Sequence, residues 1–218
     1  MDTGSDTTVR GTLIVLEGID RSGKTSQSAR LVQRLTDDGV TTKLMRFPDR
    51  STPTGRVIND YLQQTIEASD EVIHLLFLAN RWEAQREIAH DLLRGTTLVI
   101  DRYAYSGVAF SSAKGLDIEW CKAPDHGLLK PDAVFFLDLP VAEAKLRGNY
   151  GEERYERESF QLRVQQQYTI LRMGDGGWSW HVFDARKTPD ELGDELFERA
   201  NRVIARSRTE ALGTLAWQ

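Results

Sequence analysis

The stretch EGIDRSGKTSQ, residues 17–27, decides the fold. It contains Gly18, four further residues, and then Gly23, Lys24 and Thr25, which is the spacing G-x-x-x-x-G-K-[ST] of a phosphate-binding P-loop. The glycines let backbone N–H groups converge on phosphate oxygens, and the lysine reaches the outer phosphates. A hydroxyl at the last position suits magnesium. The stretch therefore predicts a nucleotide-phosphate site.

The sequence on either side of this loop favours a true P-loop over a chance match. Residues 12–16 read TLIVL, an apolar and β-rich run that predicts a buried strand. Residues 24–37 carry apolar side chains at helical spacing. Strand, glycine loop and helix is the order in which a P-loop occurs.

Strands and helices are predicted to alternate along the whole chain, which indicates an α/β fold with a five-stranded parallel sheet and helices on both faces. The predicted strands lie near residues 12–17, 41–46, 96–101, 132–138 and 180–184. The predicted helices lie near residues 24–37, 54–65, 69–93, 104–112, 116–122, 141–147, 156–173 and 188–207.

Length, charge and cysteine usage narrow the function classes. The 218 residues fit one globular domain, and a net charge of −5 argues against binding a nucleic-acid polymer. No apolar run approaches the length of a membrane span, so no membrane partner is expected. Cys121, the single cysteine, predicts a reducing compartment, with the cytoplasm favoured over the nucleus or mitochondrion. Residues 1–10 are polar and are expected to form a flexible tail.

Charged residues follow several predicted strands, at the edge where parallel α/β sheets bind ligands. Asp101 ends the third strand, where a P-loop enzyme keeps an acidic residue near magnesium; the alternative is an ordinary helix-capping aspartate. Arg50 and Arg102 could clamp a second phosphate, although Arg102 could also simply pair with the neighbouring Asp101. Two phosphate sites are what transfer between two nucleotides requires. Arg186 and Lys187 follow the fifth strand.

The predicted helix 69–93 places Phe77 and Arg81 four residues apart and hence on one face. These two side chains could form a platform and a hydrogen-bond donor for a nucleobase, or Phe77 could belong to the core. The core-facing stripe of this helix is expected to comprise Leu75, Leu76, Ala79, Trp82 and Ile88. The glycine- and charge-rich stretch 147–155 could be a lid that excludes water, or an exposed loop.

Six stretches together resemble the eukaryotic form of the thymidylate kinase family. They read LIVLEGIDRSGKTSQS, RFPDRST, HLLFLANRWE, DRYAYSGVAF, KPD and GEERYE, in family order, from about residue 12 to residue 187. The resemblance implies the P-loop nucleoside monophosphate kinase fold in a single domain, 1–218, with a short lid at about 141–157. It also implies transfer from ATP to dTMP with Mg²⁺ in dTTP biosynthesis, and a homodimer packed through helices.

The resemblance further implies a role for particular residues. The catalytic set is Arg21, Lys24, Asp101 and Arg102, with Arg21 stabilising the transferring phosphoryl group from within the P-loop. The metal ligands are Thr25 and Asp101. The ATP site comprises Arg21, Ser22, Gly23, Lys24, Thr25, Ser26, Arg147, Arg186 and Lys187. The dTMP site comprises Asp20, Phe47, Arg50, Phe77, Arg81, Arg102, Tyr103, Ser106, Gly107 and Tyr155.

Three other functions compete with this interpretation. One is a catalytically weak regulator that keeps the fold, against which the intact set Arg21, Lys24, Thr25, Asp101 and Arg102 argues. A deoxynucleoside kinase also uses a P-loop and an arginine after an acidic strand end, but it would leave Arg50 without a phosphate to bind. A nucleotide-gated switch of the GTPase kind would carry an N-K-x-D motif, which this sequence lacks. A second arginine contribution from the lid, through Arg147 or Arg154, stays open at this point.

Overall fold

A computed structural model describes residues 9–147, 153–174 and 180–217. Its single described sheet has the order β2-β3-β1-β4-β5, and every pairing is parallel. The predicted five-stranded parallel sheet is therefore confirmed. The strands are β1 (Leu13–Glu17), β2 (Thr42–Arg46), β3 (Thr97–Asp101), β4 (Ala133–Asp138) and β5 (Trp180–Asp184).

Helices connect the strands and form two packed groups. Helix α1 packs on α8 and over β2 and β3, while α4 packs against α3 and α7. The two groups cover the two faces of the sheet. The helices are α1 (Lys24–Asp37), α2 (Pro53–Leu62), α3 (Asp70–Leu93), α4 (Ala104–Ser112), α5 (Ile118–Lys122), α6 (Val141–Ala144), α7 (Glu158–Gly174) and α8 (Pro189–Ser207), with a short 3₁₀ turn at Ala123–Asp125.

Several helix starts follow from local sequence. Thr52 and Ser69 accept hydrogen bonds from backbone N–H groups at the starts of α2 and α3. Thr188 and Glu191 form a reciprocal capping box at the start of α8. Helix α1 differs, because no side chain caps its first turn and it begins directly after Gly23. Its N-terminal N–H groups are therefore available to an anion.

The central strands are apolar because both of their faces are covered. Every residue of β1 and β3 is buried, and β4 is buried up to its last residue. The outer strands β2 and β5 are only partly buried. The strand ends lie level: Leu16 pairs with both Asp101 and Phe135, and Arg46 pairs with Asp101. The loops that follow these strands are consequently brought to one edge.

Residues near both ends of the described part of the chain pack against the fold. Arg10 is buried and forms a two-pronged ion pair with Asp132, at the edge of the sheet where β1 and β4 begin. Residues 1–8 of the predicted tail, and residues 148–152 of the predicted lid, lie outside the described residues. At the other end, Leu215 is buried and pairs with the backbone of Leu128.

The predicted core stripe of α3 is wrong at two positions. Leu75 and Trp82 are 43% and 42% exposed, whereas Ile73, Ile88 and Leu92 are buried. The helix is rotated so that the face carrying Phe77 and Arg81 points into a cavity. A single sequence cannot indicate that rotation, because α3 has apolar side chains around most of its circumference.

Candidate active site

A cavity of about 910 Å³ lies at the carboxyl edge of the sheet, bounded by the loops that follow β1, β2 and β3. Every residue predicted for the site lines this cavity except Arg186. The exposed guanidinium of Arg186 is instead paired with Asp184 at 2.8 Å. Cavity-lining residues that the sequence did not single out for a role include Gln27, Arg46, Phe110, Ser111, Glu153, Glu156, Ala185 and Leu192.

The P-loop sits at the floor of this cavity. Gly23 has φ 98°, a conformation that glycine adopts without strain, and the turn it makes exposes the start of α1. Lys24 folds back into the loop, where its Nζ donates to Ile19 O at 2.6 Å and to Ser22 Oγ at 3.3 Å. Burial and, to a smaller extent, the charge of Arg102 together lower the pKa of Lys24 to about 7, against the opposing charges of nearby carboxylates.

Thr25 and Asp101 meet beside the P-loop. Thr25 Oγ1 donates to Asp101 Oδ2 at 2.6 Å, and Arg46 Nε lies 3.1 Å from the same oxygen. Asp101 Oδ1 is buried and has no hydrogen-bond partner among the described residues. A hydroxyl and a carboxylate with an unsatisfied oxygen are hard oxygen donors of the kind Mg²⁺ takes alongside phosphates, so these residues fit that metal.

Besides Arg46, the cavity-lining arginines Arg21, Arg50 and Arg102 are each paired with a carboxylate. Arg21 Nε lies 2.6 Å from Glu156 Oε1, and Arg50 Nη2 lies 2.8 Å from Glu153 Oε1. Arg102 donates to Asp20, and also to Gly18 O and Ser106 Oγ. A carboxylate offers the same planar pair of acceptors that an arginine seeks in a phosphate. These arginines therefore already lie in a geometry that holds oxyanions.

Arg21 and Arg102 share an unusual backbone. Their φ angles are +62° and +68°, in the left-handed region that side chains other than glycine and asparagine rarely adopt. Such conformations persist where the surrounding contacts enforce them, and they cluster at functional sites. Arg102 itself donates from its backbone N–H to Leu16 O, and the N–H groups of Tyr103 and Ser106, which follow it, donate to the carboxylate of Glu17.

Glu17 is the buried residue beneath this loop. Its Oε1 accepts from Tyr103 N at 2.8 Å and Ser106 N at 3.2 Å, and its Oε2 accepts from Ser106 Oγ and from Tyr168 OH. Four donors for one carboxylate satisfy its charge without exposure to water. The loop carrying Arg102 is thereby held against the end of β1. No pattern in the sequence distinguishes Glu17 from the rest of the strand that it ends.

Aromatic and cationic side chains line the far end of the cavity. Phe77 is half-buried, and Tyr103 packs on Phe47 with ring centres 5.8 Å apart. Burial raises the pKa of Tyr103, whose OH accepts from Gln85 Nε2 at 2.8 Å. Tyr155 stacks on Phe160 at 5.3 Å. We call this aromatic part of the cavity lining, with Phe47, Phe77, Tyr103 and Tyr155, the slot.

Arg81 lies beside this slot. It donates through Nε and Nη2 to Asp125, at distances of 2.8–3.1 Å, and both side chains are almost completely buried. Its guanidinium lies against the backbone of Gly107, where an added Cβ would come within 2.8 Å of Nη1. Only glycine therefore leaves room for Arg81 in this position. Asp125 was not predicted, since it lies 44 residues further along the chain.

The arginines at either end of the predicted lid have different surroundings. Arg147 bridges two loops, donating to Arg21 O at 2.9 Å and Ala185 O at 2.6 Å, and it lines the cavity. Arg154 instead donates to Tyr61 O at 2.9 Å and pairs with Glu67 at 2.8 Å. Arg154 is thus bound to α2 and to the connection that follows it.

Two glutamates and a glutamine complete the site although the sequence did not indicate them. Glu153 and Glu156 belong to the stretch GEERYE and pair with Arg50 and Arg21. Gln161 exchanges hydrogen bonds with Asp20: its Nε2 donates to Asp20 Oδ2 at 2.6 Å, and its Oε1 accepts from Asp20 N at 3.0 Å. The two ion pairs join residues 103 and 135 positions apart, and the Asp20–Gln161 contact spans 141 positions, so one sequence cannot indicate these pairings.

None of the described helices is long and apolar enough to cross a membrane.

Known proteins resemble this chain over the whole region that carries the cavity. The family model described as thymidylate kinase matches residues 16–196. The chain is 52% identical over 194 residues to a thymidylate kinase of Arabidopsis thaliana, covering 89% of this chain and 72% of that protein. It is 45% identical over 207 residues to a thymidylate kinase of Homo sapiens, covering 94% and 97%. The solved structure of a thymidylate kinase from Candida albicans superposes with a TM-score of 0.83 at 36% identity, covering 96% and 98%.

Proposed function

The chain belongs to the thymidylate kinase family, and we propose that it transfers the γ-phosphoryl group of ATP to dTMP, giving ADP and dTDP for dTTP biosynthesis. One observation carries the proposal. A single cavity contains a P-loop and, adjoining it, a second set of phosphate-type ligands, Arg50 and Arg102. Arg102 hydrogen-bonds to the P-loop itself, so the two phosphate sites are neighbours.

The donor side is assigned to the P-loop and the loops above it. Ser22, Gly23 and Ser26 supply backbone and hydroxyl donors to the ATP phosphates, and Lys24 supplies a positive charge. Arg147 and Lys187 line the cavity where the adenine would lie. Arg186 would have to leave Asp184 to take part in the ATP site.

Magnesium is assigned to Thr25 and Asp101. The unsatisfied Asp101 Oδ1 supports this assignment. Mg²⁺ held by these residues would supply positive charge that offsets the negative charge of the transferring group.

The acceptor side is assigned to the slot at the far end. Arg50 and Arg102 hold the dTMP phosphate by exchanging Glu153 and Asp20 for phosphate oxygens. Phe77 stacks on thymine and Arg81 donates to its carbonyl edge. The remaining contacts come from Asp20, Phe47, Tyr103, Ser106, Gly107 and Tyr155, around the sugar and the base.

The reaction needs positioning and charge stabilisation more than a general base. An oxygen of the dTMP phosphate, already ionised at neutral pH, forms a bond to the γ-phosphorus while the bond to the β–γ bridging oxygen breaks and ADP leaves. Arg21 and Lys24 donate to the oxygens on which charge accumulates. Arg102 keeps the attacking phosphate beside the P-loop.

The test is ADP formation from ATP and Mg²⁺ with dTMP, dUMP, dGMP, AMP and thymidine supplied separately. We expect fast turnover with dTMP and little with thymidine. Preferential turnover of thymidine would instead establish the deoxynucleoside kinase that the sequence left as the alternative.

The Arg50→Ala variant tests the second phosphate site directly. We expect a rise of about 10- to 100-fold in KM for dTMP, because a charge-assisted contact to phosphate is lost. Arg56→Ala is the matched control, since Arg56 is an exposed arginine on α2 outside the cavity lining. Equal kinetics for both variants would remove Arg50 from the acceptor site.

We also propose a homodimer formed through the exposed apolar side chains of α3. Val72, Leu75 and Trp82 recur on one face of this helix and are 42–50% exposed. Leu75→Glu is expected to give a monomer in sedimentation analysis. Met173→Glu, at an exposed apolar position on α7, is the control and should leave the dimer intact. An unchanged dimer in Leu75→Glu would place the interface elsewhere.

The cytoplasm is proposed as the compartment, because Cys121 is a buried free thiol. Cell fractionation tests this.

A further inference from the structure

The ion pair between Arg81 and Asp125 differs from the other arginine–carboxylate pairs of the cavity in its burial. The side chains of Arg81 and Asp125 are 2% and 0% exposed, against 41% and 32% for Arg50 and Glu153. An exposed carboxylate can be exchanged for a phosphate with little loss of solvation. A fully buried one cannot leave without stranding a charge in the interior. The partner of Arg81 is therefore permanent.

The geometry of this pair also fixes the direction of the guanidinium. Asp125 accepts from Nε and Nη2, which occupies one edge of the fork. Nη1 donates to none of the described residues, and Arg81 lines the cavity. The backbone of Gly107 packs against another side of the guanidinium. The two N–H donors of Nη1 are therefore held in one position in the cavity lining, because the contacts with Asp125 and Gly107 prevent the guanidinium from rotating.

Pairing with Asp125 changes what Arg81 can recognise. When a buried carboxylate cancels the charge of an arginine, that arginine attracts an anion little more than a neutral group would. It still has hydrogen-bond donors and no acceptor atoms. It suits a neutral carbonyl oxygen. It is mismatched to an amino group, because two buried donors would then face each other.

We infer that Asp125 is a positioning residue that determines acceptor specificity, by holding Arg81 as a fixed donor toward the 4-carbonyl of the base. This inference rests on the proposed function, since it requires that a pyrimidine nucleotide occupies the slot. Asp125 acts through Arg81 and does not touch the acceptor.

The test compares Asp125→Asn with a matched control, Asp132→Asn. Asp132 forms a similar two-pronged pair with Arg10, 7% and 9% exposed, at the opposite edge of the sheet. Both variants lose a buried carboxylate, so both are expected to lower the melting temperature. Only Asp125→Asn should alter base recognition.

Two acceptors provide the readout: dTMP, and the 5′-monophosphate of the matching deoxynucleoside that lacks the 4-oxygen. For Asp125→Asn we expect kcat/KM with dTMP to fall about 10- to 100-fold, mainly through KM, because the carbonyl loses a well-aligned donor. Turnover of the 4-deoxy acceptor and KM for ATP should stay within about threefold. Asp132→Asn should keep the wild-type preference.

Gly107→Ala is a second variant should Asp125→Asn not fold. Its methyl group would displace the guanidinium from the other side, and the same selective loss with dTMP is expected. Suppose that the wild type phosphorylates dTMP and that the variants prefer dTMP to the 4-deoxy acceptor as strongly as the wild type does. Asp125 is then only structural, and this inference alone is overturned. A wild type that transfers nothing to dTMP overturns the proposed function, and the inference with it.

Discussion

Nucleotide binding should be coupled to protonation of Lys24. Near-complete burial, together with the charge of Arg102, lowers its pKa to about 7. At pH 8 the free protein would then carry about 0.1 proton on Nζ, and at pH 6 about 0.9. A phosphate beside Nζ favours the charged form, so the bound lysine is fully protonated. Binding should take up about 0.9 proton at pH 8 and about 0.1 at pH 6.

Isothermal titration of ADP with Mg²⁺ measures this uptake. The titration is run at each pH in two buffers of different ionisation enthalpy, and the dependence of the observed enthalpy on the buffer gives the number of protons. The nucleotide contributes little at pH 8, because its terminal phosphate, with a pKa of about 6, is already ionised. Lys24→Arg is the control, since an arginine is charged at both pH values. Uptake near zero at pH 8 in the wild type, or equal uptake in both proteins, would refute the low pKa.

The same shift affects the empty protein. Because the folded pKa of Lys24 lies below its unfolded value of 10.5, charging it opposes folding. The penalty is complete below about pH 7 and disappears as the pH rises toward 10.5. The difference between the unfolded pKa of 10.5 and the folded pKa of about 7 corresponds to a folding penalty of up to about 5 kcal/mol. Lys24→Met without ligand should therefore be more stable than wild type at pH 6, and the gain should shrink at alkaline pH in thermal unfolding.

Two further predictions concern other charged groups. Arg21→Ala should lower kcat by about 10³- to 10⁵-fold with a small change in KM for dTMP, whereas Arg154→Ala should lower kcat far less, since Arg154 is bound to α2; steady-state kinetics that rank them the other way would move the catalytic arginine to the lid. His74 is buried, its pKa is lowered to about 4 by burial and by Arg81, and its Nδ1 lies 2.8 Å from Ser111 Oγ. The unfolded chain therefore gains a proton between pH 6.5 and about 4 that the folded chain does not, so stability falls as the pH drops through that range, and denaturant titrations should show a smaller fall in His74→Gln.

Local pattern was enough to predict the fold. The P-loop spacing, the apolar runs within strands β1, β3 and β4, and the alternation of strands with helices each depend on residues close together in the chain. The same local signals indicated which loops would meet, because the carboxyl ends of parallel strands share one edge. Predicted site residues from six separate stretches consequently line one cavity.

The partners of those residues could not be predicted in this way. Arg81 and Asp125, Arg21 and Glu156, and Asp20 and Gln161 are joined only when distant segments pack. For any one arginine, many aspartates and glutamates of the sequence are possible ion-pair partners once the chain folds. Only the folded structure shows which of them is in contact. The rotation of α3, which exposes Leu75 and Trp82, depends likewise on packing with α2 and α4.

The left-handed backbone at Arg21 and Arg102 sets function against stability in this protein. A side chain in that conformation costs about 1–2 kcal/mol relative to glycine. A search based on backbone strain alone would accordingly select Arg21→Gly and Arg102→Gly, and each would delete a guanidinium assigned to the reaction. Gln64 has the same backbone, at φ 60°, but lies outside the cavity lining. Gln64→Gly is the substitution of this kind that engineering for heat resistance could adopt while keeping the enzyme active.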